Sequence, residues 1–311
     1  MPTNALQLYA DKLAEDTHEY GQALWYYSLS QNAHKVKDVL DLLISISLTQ
    51  SIAYPAESEL DSHLKRLITS PATTLAELSS LDIDAAKLLH KHLSGYATLR
   101  HFYFLRDEAL LTKGRKTHAG PIFRKQEAAT ALLAVITSSD DNIRGGLYDE
   151  SRGAIVSVDF LLALLGEAMI FLNDRDFLFT IPQIELLLRT IEDIQGVTPR
   201  VYSACNDFLQ TVLASTSGLK GSTPADMLRK STSNLSGSSF TLTGSSMLAS
   251  QLQKSISSGG FEKGNIKRAW DWRKGMTAAM NGEELLRMLR LGLARALASA
   301  WIREADGRMV F

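Results

Sequence analysis

Apolar residues recur at spacings of three and four along most of this chain, which is the period of an amphipathic α-helix. Clear examples lie at 4–17, 19–31, 34–50, 82–111 and 121–139. No segment shows a sustained alternation of apolar and polar residues bounded by Asn-Gly or Asp-Gly turns, which is the pattern of a β-hairpin. The sequence therefore predicts an all-α protein.

Three pairs of residues mark places where a helix is expected to begin. Thr180 and Gln183 have the spacing of a capping box, in which each side chain bonds to the other residue's backbone N–H. Thr198–Pro199 combines an N-cap residue with a proline in the first helical position. Thr74 and Glu77 repeat the capping-box spacing, which predicts a short helix that begins after Thr74.

The helical segments are joined by short connections and show no heptad pattern, which is typical of stacked antiparallel helix pairs. No repeat of fixed length recurs along the chain, so the stacking is expected to be irregular. We predict an irregular α-solenoid over residues 1–230, with a compact helical domain as the alternative.

A long stretch rich in Ser, Thr and Gly interrupts the helical pattern at 231–262. It has too few apolar residues to offset the conformational entropy lost on ordering, which predicts a disordered loop. Helical sequence resumes beyond it, so the loop is an insertion. Residues 263–311 are expected to form C-terminal helices that pack back on the solenoid.

The final helical segment, 283–304, carries apolar residues on several sides, whereas a surface helix normally shows one apolar stripe. One stripe consists of Leu286, Leu293, Leu297 and Trp301, and a second consists of Leu285, Leu289 and Ala296. Several buried sides require several neighbours. We predict that the second stripe faces the solenoid and that the first faces a partner protein.

Composition narrows the classes of function. The chain has 311 residues, of which 45% are hydrophobic, and a formal net charge of −1. A near-neutral chain does not have the basic surface typical of a nucleic-acid-binding protein. The longest apolar run, 154–172, contains Asp159 and Glu167, and charges at such intervals are costly inside a bilayer. We predict no specific nucleic-acid partner and no membrane insertion.

Each catalytic or metal-binding pattern in the sequence is weak. His90 and His92 lie two residues apart, so on a helix they point to different sides and cannot share one metal ion. Cys205 lies in an apolar helix, where a core position is expected rather than a nucleophile. The motifs "SGLK" and "GLKGST" at 217–223 lack the partner motifs of an acylase or a phosphate-binding loop. We predict no catalytic residue, cofactor, metal or small-molecule substrate.

The segment "KRAWDWRK" at 267–274 interleaves cations with aromatic residues. This pattern is compatible with nucleic-acid binding, but it also suits two tryptophans that anchor the segment to the solenoid while the cations remain in solvent. We favour the second interpretation. The predicted partner interface consists of Leu293, Leu297, Trp301, Trp270 and Trp272.

Two blocks of sequence in the C-terminal third, 160–194 and 288–304, resemble the family of eighty-five-kilodalton nucleoporins from the outer ring of the nuclear pore. The resembling positions are Gln183, Leu187, Arg189, Glu192, Asp193, Leu289, Arg290, Leu293, Ala294, Arg295, Leu297, Ile302, Arg303 and Glu304. The Ser-rich insertion is longer than the connection in animal members and looks fungal. The first 150 residues fit the family by helical character alone.

The resemblance implies a non-catalytic scaffold protein of the nuclear pore complex at the nuclear envelope. It implies that this part of the chain joins the hub of a Y-shaped subcomplex, with the stem nucleoporin and the other short-arm nucleoporin as expected partners. It further implies a supporting role in nucleocytoplasmic transport of mRNA and protein. The alternative from another class is a helical-repeat adaptor of a vesicle coat or a regulatory complex.

Overall fold

A computed structural model describes residues 3–111, 119–144, 156–172, 178–215, 270–274, 276–277 and 280–308. Within these ranges the chain forms eleven α-helices and no β-strand, which confirms the all-α prediction. The predicted disordered loop at 231–262 and the motifs at 217–223 lie outside the described residues. The boundary between the solenoid at 1–230 and the C-terminal helices at 263–311 stays a prediction.

The helices are numbered in chain order. Their bounds are α1 Thr3–Lys12, α2 Tyr20–Leu29, α3 Ala33–Gln50, α4 Ser62–Thr69, α5 Pro71–Leu81, α6 Ile83–Leu111, α7 Ala119–Arg144, α8 Leu161–Leu172, α9 Ile181–Gly196, α10 Pro199–Ala214 and α11 Gly282–Arg308. Short irregular helical turns at Leu13–Thr17, Glu57–Glu59 and Val158–Phe160 supplement them.

Side-chain caps set several helix starts, as the sequence predicted for α9. The backbone N–H of Thr180 donates to Oε1 of Gln183 at 2.9 Å, which is one half of the predicted capping box. Asn32 caps α3 by accepting from the backbone N–H of Lys35 at 3.1 Å. Thr198 is the N-cap of α10 and Pro199 its first residue, also as predicted. Capping satisfies N–H groups that have no partner inside the helix.

The predicted helix start after Thr74 was wrong. Helix α5 begins at Pro71, and Thr74 is buried inside it, where its hydroxyl donates to the Ser70 carbonyl at 3.0 Å. Proline presets the backbone angle of a first helical residue, so the helix begins one turn earlier than the Thr74–Glu77 spacing suggested.

Helices adjacent in sequence pack against each other through most of the fold, and two long helices, α6 and α7, form the most extensive pair. Helix α8 lies at the centre, packed against α7, α10 and α11, and its side chains are buried almost throughout. The long apolar run is therefore a core helix. Among the described residues, no helix has the length and hydropathy needed to cross a bilayer. The arrangement confirms an irregular α-solenoid.

One feature departs from a simple helix stack. In a solenoid each repeat contacts only its neighbouring repeats, but here α10 packs against α3, which lies seven helices earlier in the chain. The Ser215 hydroxyl, directly after α10, donates to the Thr49 carbonyl at 2.7 Å. The early and late parts of the fold are thus joined at the C-terminal end of α3.

Candidate interaction surface

The histidines and the cysteine that were weighed as metal ligands or as a nucleophile lie at positions typical of structural residues. His90 is exposed and His92 is buried, and the described residues contain no cluster of three metal-ligating side chains. The Cys205 thiol is buried and donates to the Val158 carbonyl at 3.2 Å. Burial raises the pKa of this thiol to about 12, so it remains protonated and unreactive near neutral pH.

His92 makes the stability of the fold sensitive to acid. Burial, with smaller contributions from Lys91 and Lys37, lowers the pKa of His92 to about 4, and its Nδ1 has no hydrogen-bond partner among the described residues. Below pH 6.5 the unfolded state binds a proton that the folded state refuses, so stability falls as the pH falls.

Between pH 7 and pH 5, His92 should lower the free energy of unfolding of the wild type by about 2 kcal/mol. We expect His92→Gln to abolish this decrease. Chemical denaturation at a series of pH values measures this difference. His90→Gln is the matched control, since His90 is exposed on the same helix, and it should leave the pH dependence unchanged. Parallel curves for the wild type and His92→Gln would contradict the assignment.

A buried polar cluster connects α3, α6 and α8. Oε1 of Glu167 accepts from the Tyr103 hydroxyl at 3.0 Å and from the Ser51 hydroxyl at 3.1 Å. Arg106 donates to the Ser51 hydroxyl and to the Ser51 carbonyl, each at 2.6 Å. Burial raises the pKa of Glu167, while the positive charges of Arg106 and Arg273 oppose the rise. All four side chains have a structural role, because their hydrogen bonds hold three helices together.

The segment 270–274 lies against the core, and one prediction about it was wrong. Trp272 is buried and Trp270 is half-buried against Phe171, with ring centroids 5.7 Å apart, so both tryptophans anchor the segment. Arg273 is also buried, although its cation was expected in solvent. It pairs with Asp271, and Lys274 is the exposed cation of this segment. A buried Arg is tolerated because a carboxylate satisfies its charge.

Helix α11 packs against α8 and α9, and residues of both stripes that the sequence suggested are buried. Leu285 and Leu289 are buried, as expected for the solenoid side, but Leu286 and Leu293 are buried as well. Gly292 brings α11 close to α8, because a Cβ at this position would lie 3.0 Å from Cδ1 of Leu172. The neighbouring helices therefore cover more of α11 than was predicted.

A third apolar stripe of α11, which shares Trp301 with the first, faces solvent. It is formed by residues three or four apart, namely Leu291, Ala294, Ala298, Trp301 and Ile302. Leu291 is 54% exposed, Trp301 63% and Ile302 62%, and their alignment on one side of the helix makes this side a candidate interaction surface. We call this set the outer stripe.

Arginines border the outer stripe. Arg287 and Arg295 are exposed beside it, and Arg290 donates to Oε1 of Gln195 on α9 at 2.5 Å. The two alanines have small side chains, so the middle of the stripe leaves room for the close approach of another helix. An apolar surface with a cationic border is suited to an amphipathic helix that carries carboxylates at its edges.

The structure narrows the predicted interface. Leu293 and Trp272 are buried within the chain and offer a partner no surface. Trp270 and Leu297 are half-buried, and Trp301 is exposed. A role in partner contact stays a proposal for these three. Sequence reasoning missed Leu291, although the position of Leu291 and Ile302 on the side of Arg287 and Arg295 was a signal that this side was not wholly polar.

Comparison with curated proteins identifies Nucleoporin NUP85 from Chaetomium thermophilum as similar to this chain, with 49% identity over 316 aligned residues. The alignment covers 96% of the chain and 26% of the relative, within the C-terminal portion of the relative. The chain therefore spans about a quarter of the length of the curated relative that it matches. No family model matches the chain, and no solved structure matches it.

Proposed function

We propose that the chain, whose sequence is of the NUP85 nucleoporin type, is a non-enzymatic scaffold domain of the nuclear pore complex at the nuclear envelope. In this proposal it joins the hub of the Y-shaped outer-ring subcomplex and supports nucleocytoplasmic transport by holding the subcomplex together. Its partners are the stem nucleoporin and the other short-arm nucleoporin. The identity to a nucleoporin along nearly the whole chain favours this function over a vesicle-coat adaptor.

The observation that supports a binding role is the outer stripe of α11. Burial of a single Leu or Ile side chain is worth about 1.5–3 kcal/mol, so three large apolar side chains left in solvent forgo substantial stabilisation. A partner helix would recover it. The same helix is fixed to the core by Leu285, Leu286 and Leu289, which gives the outer stripe a rigid support. Rigid presentation lowers the entropic cost of binding.

We expect Leu291→Glu combined with Trp301→Ala to weaken binding to the stem nucleoporin at least tenfold, about 1.4 kcal/mol. Both side chains are exposed, so the variant should keep its helical circular dichroism and its melting temperature. Isothermal titration of the full chain with the purified stem nucleoporin measures the change in affinity. The same titration with the other short-arm nucleoporin shows which of the two partners uses this stripe.

A matched control carries similar substitutions on helices in the N-terminal half of the chain. Leu8→Glu combined with Leu81→Ala alters two equally exposed leucines on α1 and α5 and should leave the affinity unchanged. Unchanged affinity for both nucleoporins in the α11 variant, with its fold intact, would exclude the outer stripe from the interface. An equal loss in both variants would show that the effect is not specific to α11.

A further inference from the structure

The residues on either side of 216–269 meet at one backbone carbonyl. Ser215 is the last described residue before this stretch, and its hydroxyl donates to the Thr49 carbonyl at 2.7 Å. Arg273, just beyond the stretch, donates to the same carbonyl from Nη1 at 2.5 Å and to the Ser215 hydroxyl at 3.2 Å. Three parts of the chain that are distant in sequence therefore share one hydrogen-bonded point.

The Arg273 side chain is held for this contact by Asp271. Nε and Nη2 of Arg273 donate to the two carboxylate oxygens at 2.7 and 2.8 Å, and the backbone N–H of Arg273 donates to Oδ1 at 3.1 Å. Both side chains are buried. A two-point pair of this kind fixes the plane of the guanidinium, which leaves Nη1 aimed at Thr49.

The tryptophans on either side of Asp271 lock the same segment in place. Trp272 lies against Gly166 of α8, where a Cβ would come within 2.4 Å of Cζ2 of the indole ring. Only glycine at this position leaves room for the ring. Trp270 packs edge-on against Phe171 of the same helix. Each residue of the sequence Trp-Asp-Trp-Arg thus makes a specific contact that holds the segment in position.

Helix α11 extends this contact across α8 and α9 through four buried leucines, Leu285, Leu286, Leu289 and Leu293. We infer that 270–302 is a docking element that residues 3–215 bind as they would bind a separate peptide. Recognition combines a buried Trp-Asp-Trp-Arg motif with a leucine-rich helix. The covalent connection through 216–269 is not what holds the element in place. This inference is independent of the proposed function, because it concerns contacts inside one chain.

The test uses the full chain with a site-specific protease site in a short linker that replaces 232–258. The protein is folded first and cut afterwards, then diluted and passed over a size-exclusion column at decreasing concentrations. We expect the two fragments to elute together, with an unchanged helical circular dichroism signal. Separation of the fragments at every concentration would overturn the inference, since it would show that the connection is needed.

Arg273→Ala, introduced before cutting, should lower the affinity between the fragments at least tenfold, read as the concentration at which they separate. Lys274→Ala is the matched control because this neighbouring cation is exposed, and it should have no effect. If Arg273→Ala does not fold, Arg273→Lys keeps the charge but loses the two-point pair, and the same loss is expected. Equal affinity for the wild type and the Arg273 variant would overturn the role given to this pair.

Discussion

Replacing Arg106 by methionine should lower the free energy of unfolding by about 3–5 kcal/mol. Arg106 is fully buried and donates four hydrogen bonds, two to Ser51 and two to Asp107. Its loss leaves the Ser51 carbonyl without this donor and removes one of the two cations that compensate the charge of buried Glu167. Removing one partner from a buried charge cluster leaves the other charge uncompensated. This lowers the free energy of unfolding by far more than the intact cluster contributes to it.

Urea denaturation followed by circular dichroism measures this loss. Arg106→Met combined with Glu167→Gln should recover part of it, because an amide needs no compensating cation. The control is Arg66→Met, which removes a surface ion pair with Glu77 at 2.5 Å and should change stability by less than about 1 kcal/mol. A loss as small for Arg106→Met as for Arg66→Met would show that the buried cluster does not stabilise the fold.

Gly21→Ala should be nearly as damaging, with an expected loss of about 3 kcal/mol or more. Helix α2 crosses the start of α4 at Gly21, where a Cβ would lie 2.0 Å from the backbone nitrogen of Leu64. The Asp61 carboxylate accepts from the backbone N–H of Gly21 at 2.9 Å and caps α4 through the N–H of Leu64 at 2.8 Å. A methyl group would force the two helices apart and break this shared cap.

The matched control for this change is Gly196→Ala. Gly196 is the last residue of α9, and a Cβ there would meet nothing within 4 Å. Alanine is also the better helix former, so the control should be neutral or up to about 1 kcal/mol more stable. Thermal unfolding of both variants gives the comparison. Similar melting temperatures would mean that α4 moves aside at little cost and that the close crossing is not required.

Local signals in the sequence were sufficient for most of the helices. The Thr180–Gln183 pair and the Thr198–Pro199 pair act within one turn of backbone, so their effect does not depend on the rest of the fold. Thr74 shows the limit of such signals, because its spacing was correct but Pro71 had already started the helix.

The faces of α11 could not be assigned from the sequence in the same way. Leucines lie on three sides of this helix, and the positions of α8, α9 and α10 determine which of them are covered. Gly292 lies close to Leu172 of α8, and the next residue, Leu293, is buried. Likewise, nothing near Arg273 in sequence indicates the Thr49 carbonyl, which lies 224 positions away along the chain. Arg273 stands between Trp272 and exposed Lys274, so its burial follows from tertiary structure alone.

The shared contact at Thr49 has a mechanical consequence. A stack of helices that touch only their neighbours is compliant, because every joint can flex and the small rotations add up along the stack. Here Ser215 and Arg273 both bond to the Thr49 carbonyl at the end of α3, so bending the middle of the fold would have to break these two hydrogen bonds together. The region between α3 and α10 should therefore behave as a stiff block under load. Elastic deformation is left to α1 on one side and to the far end of α11 on the other.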